Sequence, residues 1–435
     1  MILIENKLNI PLDIVRYTNE FLNKPLNDKT IRLAVDLWFS NEKQCIEIYG
    51  HISEWNTTKV TNMSKLFYMK RKFNEDISRW KVDNVTDMSY MFMDATNFNS
   101  CLDNWNTKNV RNMCYMFNRA SNFNSSLNNW NTENVTKVYY MFSGAKKFNK
   151  PLNNWNTEKI TNMCGMFNRA KNFNQDLDNW NTSNVTDMSK MFSEAEKFNS
   201  SLNTWNTENV TDMSYMFSHA SLFNQPLNNW NVSNVTDMSN MFLWAYNFNQ
   251  DLNNWNTINV IDMSGMFCQC GKFNSSLKNW NTIKVEDMSA MFAGAVCFNK
   301  PLNNWNTINV EDMSCMFSGA IIFNKNLNNW NTENVKDMSE MFQCCKKFNK
   351  PLNNWNTINV EDMSYMFNEA VEFNKPLDNW NVSNVKDMSH MFYYASSFNQ
   401  NLKNWNISSE TEIEHIFLGA EKFDKEVNMP TIVTQ

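Results

Sequence analysis

A tryptophan returns every 25 residues along this 435-residue chain, from Trp55, Trp80, Trp105 and Trp130 through to Trp405, without an insertion or deletion. Phe keeps the same step from Phe73 to Phe423, and Leu from Leu102 to Leu402. The copy beginning at Trp180 reads WNTSNVTDMSKMFSEAEKFNSSLNT, and Trp205 starts the next. A period of this length, held through fifteen copies, constrains the fold more than any other feature of the chain. Each unit is too small to enclose a core and can bury its apolar face only against its neighbours, which is the condition for a solenoid.

Comparison of the copies shows what each position tolerates. Val185, Met188, Met191, Phe192, Ala195 and Phe198 belong to columns that hardly vary, whereas those of Lys190, Ser193, Glu194 and Lys197 change freely. The constant positions fall at the i, i+3, i+4, i+7 spacing of one helical face, so a short amphipathic helix is expected in each copy. Asp fills the column of Asp187 in ten copies and Asn in three. These side chains suit the first turn of a helix, whose free N–H groups they can cap. A calcium ladder is the alternative, but Asn62, Asn112, Asn162 and Lys137 remove the charge that calcium needs. Pro151, Pro226, Pro301, Pro351 and Pro376 would end the helix and favour an extended stretch up to the next Trp. With only eight glycines in the chain, Asn is expected at the left-handed turn positions, and the Asn56, Asn106, Asn131 column is expected to form an internal ladder.

Composition narrows the function classes. The net charge of −6, with acids and bases interspersed, argues against nucleic acid or an anionic membrane as the main partner. The opening MILIENKLNIPLDIVRY carries Glu5, Lys7 and Asp13, so neither a signal peptide nor membrane insertion is expected, and an intracellular location (host cytoplasm or virion) is favoured. Ten cysteines are scattered without a CxxC pair and replace Ser or buried Ala, as at Cys114, Cys164, Cys270 and Cys345; free buried thiols are expected. His390 and His415 share a column one copy apart, but two nitrogens make an incomplete metal site. No phosphate loop or nucleophile–base spacing occurs. The expectation is a non-enzyme with no catalytic residue, cofactor or metal.

Residues 1–54 lie outside the repeat and are expected to form a helical N-terminal cap. One helix would begin at Pro11 and carry Leu12, Ile14, Val15, Phe21 and Leu22, and a second would run from Lys29 to Phe39 with Trp38 facing the first copy. The segment 10–22 also has a weak likeness to the opening of an F-box. The solenoid spans 55–429, and its last copy, 405–429, decays into a C-terminal cap as Glu410, Ile413, Ile416 and Asp424 replace the consensus residues. Residues 430–435 read as a tail.

The motif WNxSNVTDMSxMFxxAxxFNxxL, preceded by AVDLW and YGHISEWN over 34–56, resembles the BspA-like leucine-rich-repeat surface protein family, of the mycoplasma-lipoprotein repeat type, over nearly all of the chain. The resemblance implies an α/β repeat fold, a right-handed leucine-rich-repeat-like solenoid, and surface attachment or protein binding without catalysis. The chain has no lipobox or wall-sorting motif, and its Asn, Lys and Ile content suggests an AT-rich genome such as that of a giant virus or a protist. Three function classes follow: a protein-interaction scaffold or adhesin, a structural component of a virion or surface layer, and an F-box-like adaptor recruiting ubiquitin machinery. Two candidate patches for a protein partner or for self-association stand out. Tyr90, Tyr115 and Tyr140 share a column in consecutive copies, with Tyr139, Arg119 and Arg169 close by; Leu243, Trp244 and Tyr246 form the second. Tyr, Trp and Arg bury large area with a polar handle and dominate binding hot spots.

Overall fold

Two residues of each copy adopt left-handed backbone, and no α-helix accommodates that. In the computed structural model, which describes residues 24–433, Lys190 and Glu194 both have φ 57°, and Tyr90 and Asp94 both have φ 59°. The expected helix is therefore absent; the stretch from Asp187 to Ala195 and its equivalents is a run of turns with an isolated bridge at the Asp column. The expectation of Asn at left-handed positions also fails. Lys, Tyr, Glu, Arg, His and Cys occupy them, and among the described non-glycine residues Asn240 is the one asparagine. The extended stretch before each Trp is likewise no regular strand.

Left-handed backbone costs an L-residue about 1–2 kcal/mol, and the hydrogen bonds show what offsets it. The N–H groups of Met188, Lys190, Phe192 and Glu194 donate to the carbonyls of Asp212, Ser214, Met216 and Ser218 in the next copy at 3.0, 2.9, 2.9 and 2.7 Å. The intervening N–H groups of Met191, Ser193 and Ala195 fold back onto Met188, Lys190 and Phe192 at 3.2, 3.1 and 3.0 Å. Ser189 N–H donates to Asp187 Oδ1 at 2.9 Å. Every donor from Met188 to Ala195 is thereby satisfied, half across the copy boundary and half within the copy. The Asp column caps turns in this ladder rather than a helix.

The chain divides into two units, Met1–Asn184 and Val185–Gln435, each with the same core. In the first, Phe92 stacks on Phe98 of its own copy at 3.9 Å and on Phe117 of the next at 5.5 Å. Trp105 and Trp130 stack at 6.2 Å. The second unit repeats this with Phe217, Phe223 and Phe242, and with Trp230 and Trp255 at 6.4 Å. Each indole also donates backwards: Trp130 Nε1 reaches Leu102 O and Trp230 Nε1 reaches Leu202 O, both at 2.9 Å. A buried Thr donates forwards, as Thr207 Oγ1 does to Asn231 O at 2.9 Å. Side-chain carbonyls of the Phe-Asn column link copies as well, Asn99 N–H donating to Asn74 Oδ1 and Asn124 N–H to Asn99 Oδ1, both at 2.7 Å. The Asn56, Asn106, Asn131 column does satisfy backbone groups along the turn, Asn131 Oδ1 accepting from Glu133 N–H at 3.0 Å, but these bonds stay within the copy, and the Phe-Asn column carries a copy-to-copy ladder.

Two helices close the upstream end of the first unit: α1 (Asp28–Ser40) and α2 (Glu42–Tyr49). Asn27 caps α1 with a capping box, and Ile31, Ala34, Val35 and Trp38 turn inward. Trp38 meets Trp55 edge to face at 6.2 Å, and Phe39 leans on Phe67 and Phe73. The polar groups of α1 replace a missing copy. Where Thr86 N–H donates to Thr61 O of the preceding copy, Thr61 N–H has no such partner and takes Asp28 Oδ1 at 2.7 Å, as does Asn62 N–H at 3.0 Å. Arg32 donates to Ser64 O at 2.7 Å and Asn62 Oδ1 at 3.0 Å. Burial raises the Asp28 pKa, but the Thr61 and Asn62 hydrogen bonds and the Arg32 charge together hold it below the ordinary carboxylate value. The helix placed at Pro11 and the F-box-like segment 10–22 lie outside the described residues.

At the downstream end, the residues read as a tail form structure. Strand β1 (Asn406–Ser408) pairs in parallel with β2 (Thr431–Val433), and between them lies α3 (Lys425–Asn428), capped by Asp424. Ile416, Phe417, Ala420 and Phe423 of the copy at 405–429 remain buried. Among the described residues no helix is long and apolar enough to cross a membrane.

Trp230→Ala is expected to lower stability by about 3–5 kcal/mol through lost burial and a residual cavity, and it also removes the donor of Leu202 O. Hydrogen exchange should accelerate at the amides of the copies on either side; unchanged exchange there would show that this column is not core.

Candidate protein-binding surface

The left-handed residues decide where outward side chains go, because their Cβ atoms leave the turn run on its outer face. Tyr90, Tyr115 and Tyr140 all sit at such positions. Their rings stack at 4.8 and 5.2 Å with interplanar angles of 11° and 4°, and Lys65 Nζ lies over the Tyr90 ring. The stack ends at Gly165, where a Cβ would overlap the Tyr140 ring. Tyr139 meets Tyr115 edge-on at 5.5 Å. A hydrogen bond with Cys114, then burial, pushes the Tyr139 hydroxyl up to about 12, while burial pushes the Cys114 thiol up to about 11. Arg119 pairs with Asp94 at 3.2 Å, and Arg169 is exposed. The sequence places this column in solvent; the structure corrects that, since all three tyrosines are half-buried against one another. The column holds the ladder together as much as it faces outward.

The second patch is different. Trp244 and Tyr246 are 48% and 51% exposed, and Leu222 in the preceding copy, which the sequence reading did not single out, is 49% exposed. Leu243 is half-buried. Trp244 has φ 58° and stacks on His219 at 5.9 Å. Tyr246 leans over Gly271, the position where a Cβ would meet its ring, and Lys272 Nζ lies 5.9 Å from the ring centroid. Two large rings are thus propped on neighbouring copies with about half of each surface facing water. A row of isoleucines, Ile258, Ile283 and Ile308, each 40–41% exposed, was also missed. Its signal was present: three consecutive copies carry Ile where Glu208, Ser233 and Glu333 stand elsewhere.

No group of three or more His, Cys, Asp or Glu among the described residues could hold a metal. His390 is half-buried rather than a simple surface residue, stacked on Tyr365 at 4.6 Å and edge-on to His415 at 5.3 Å. The cysteines are free; Cys45, Cys114, Cys270 and Cys345 are buried, whereas Cys101 and Cys297 are exposed, against the expectation of buried thiols throughout. Cys270 and Cys345 donate to Phe242 O and Phe317 O at 2.9 and 2.8 Å.

An acidic stripe runs along the second unit, where the aspartate column is bridged copy to copy from Asp187 to Asp387. Each carboxylate accepts from the Ser two residues on, as at Ser239 N–H to Asp237 Oδ1, 2.8 Å. Burial, and then the charges of Asp212 and Asp262, push the Asp237 carboxyl up against its Ser239 hydrogen bonds; Asp312 behaves likewise between Asp287 and Asp337. In the first unit the same column carries Asn112, whose Oδ1 accepts from Cys114 N–H at 3.1 Å, so an amide makes the same cap without charge.

Comparison with known proteins adds the following. The family model described as "Mycoplasma protein of unknown function, DUF285" matches residues 36–155, 140–255, 244–352 and 322–429. No curated protein matches the chain. Among solved structures, a leucine-rich-repeat protein of Leptospira interrogans aligns over 93% of each chain at 7% identity, with a TM-score of 0.18, too slight a likeness to carry the fold.

A carboxyl whose pKa is raised on folding contributes stability that is full below its unfolded value, 3.8 for Asp, and is lost as pH rises through the folded value. Asp237→Asn is therefore expected to raise the unfolding midpoint at pH 7, to do so less in high salt, and to have little effect below pH 3.8. Midpoints measured against pH for both proteins check this, and a lower midpoint at pH 7 would contradict it.

Proposed function

The chain belongs to the DUF285 repeat family, and from that premise we propose that it is a non-catalytic protein-interaction array that holds a partner on outward side chains propped by a fixed ladder. The observation that carries this reading is the Leu222, Trp244 and Tyr246 cluster, three large apolar side chains each about half exposed on neighbouring copies. Exposed aromatic residues grouped on a rigid support are what binding hot spots are made of, because little conformational freedom is lost on docking. The Ile258, Ile283 and Ile308 row extends the apolar surface available in the same unit. The likeness of the 25-residue motif to BspA-like surface proteins supports the same class of function, attachment through protein contacts, on a right-handed leucine-rich-repeat-like coil.

Replacing Trp244 and Tyr246 together with Ser tests the proposal. Both side chains are half in water, so the unfolding midpoint should hardly move, while partner affinity should fall by about thirty-fold or more. Affinity purification with mass spectrometry from the source cells, wild type against the double variant, reads the outcome. Undiminished recovery of the same partner by the folded variant would remove this patch from consideration.

A further inference from the structure

The inter-copy ladder is directional: each copy offers N–H donors downstream and carbonyl acceptors upstream. In the last complete rung, Met388, His390, Phe392 and Tyr394 donate to Glu412, Glu414, Ile416 and Leu418 carbonyls at 2.8, 2.8, 2.9 and 2.8 Å. The next donors in the series are the N–H groups of Ile413, His415, Phe417 and Gly419, and among the described residues nothing accepts from them. The backbone there keeps the shape of the other copies, His415 having φ 53° and Gly419 φ 79°. The apolar side of this copy is closed, with Phe417 5% and Ile416 8% exposed. What the edge lacks is a row of backbone oxygens.

The upstream end shows the contrast. There Asp28 takes the Thr61 and Asn62 donors, and Arg32 fills the Ser64 carbonyl. A second copy of the chain, meeting the open edge with its upstream end, would present carbonyls already occupied by Arg32. The open edge instead suits a foreign segment in the same turn-run conformation, and its side chains say of what kind. Glu412, Glu414 and His415 are exposed along it. Within the array, opposite charges pair between adjacent rungs, as Lys336 does with Glu311 and Lys386 with Glu361, and flat rings stack one per rung, as Tyr365 does on His390.

We propose that the edge from Ile413 to Gly419 docks a segment of a partner protein, folded into the same turn run, as one further rung, its main-chain carbonyls accepting the four N–H groups, a basic residue lying beside Glu412 and Glu414, and a flat ring lying over His415. An unpaired row of backbone groups is a template for pairing with another chain, and here the rung from Met388 to Tyr394 already displays the complex within the same unit. The site is separate from the Trp244 patch, so either can fail without the other.

The test uses the full chain and a synthetic peptide with the sequence of residues 136–143, TKVYYMFS, which carries Lys137 and Tyr140 in the columns of Glu412 and His415. In the free chain the amides of Ile413, His415, Phe417 and Gly419 should exchange fast with deuterium, and saturating peptide should slow them. The exposed double variant Glu412→Lys, Glu414→Lys should bind the peptide about five-fold more weakly, the scale of two surface ion pairs. Slow exchange at these amides in the dilute free chain would overturn the proposal, as would exchange that saturating peptide leaves unchanged. Protection that grows with chain concentration and no peptide would assign the edge to a second copy instead.

Discussion

The structure depends on one arrangement of backbone hydrogen bonds. Alternate N–H groups of the turn run point along the array to the next copy, and those between them fold back three residues within the same copy. Left-handed backbone at two residues per copy makes that alternation possible, since it turns successive amides in different directions. The compensation recurs with the cost along the interior copies of each unit: inter-copy backbone bonds, a Trp indole bond to the preceding copy, and stacks of Phe and Trp. The side chains at the strained positions vary freely and, apart from the buried Asp94, are at least partly exposed. A costly backbone and a variable surface are thus two sides of one constraint.

Directionality makes the ends unlike. Upstream, a carboxylate and a guanidinium on α1 imitate the acceptor and donor groups of an absent copy. Downstream, β2 and α3 cover the flank of the last copy but leave its row of amides without acceptors among the described residues. Charge adds a further asymmetry: the Asp column is continuous in the second unit, whereas Asn62, Asn112, Asn162 and Lys137 interrupt it in the first. Acidity therefore acts differently on the two units, relieving repulsion in the second and weakening the Asp28 cap of the first.

The period, the core columns and the helix over Lys29 to Phe39 were legible because burial at a fixed step needs no three-dimensional information. The local backbone was not. A run of three-residue turns brings Met188, Met191, Phe192 and Ala195 inward at the same spacing as a helix would, so periodicity cannot separate the two. Free variation of Lys190 and Glu194 does not separate them either, since it fits the outer face of both. The Trp244 patch was visible from residue type alone, whereas the burial of the Tyr90, Tyr115 and Tyr140 column was not, because stacking between copies depends on ring orientation. Leu222 and the isoleucine row escaped notice since each departs from its column without being aromatic.

The left-handed backbone itself can be tested by one substitution whose sign differs between the two readings. Ala290 has φ 51° and a side chain of a single methyl group, so replacing it with Gly changes almost nothing but backbone preference. In a helix interior Ala→Gly costs about 1 kcal/mol. At a left-handed position the same change relieves about 1–2 kcal/mol of strain, less what the more flexible unfolded chain takes back. Urea unfolding of Ala290→Gly should show a higher midpoint than the wild type. A midpoint lowered by the helical amount would contradict the left-handed turn run and the ladder built on it.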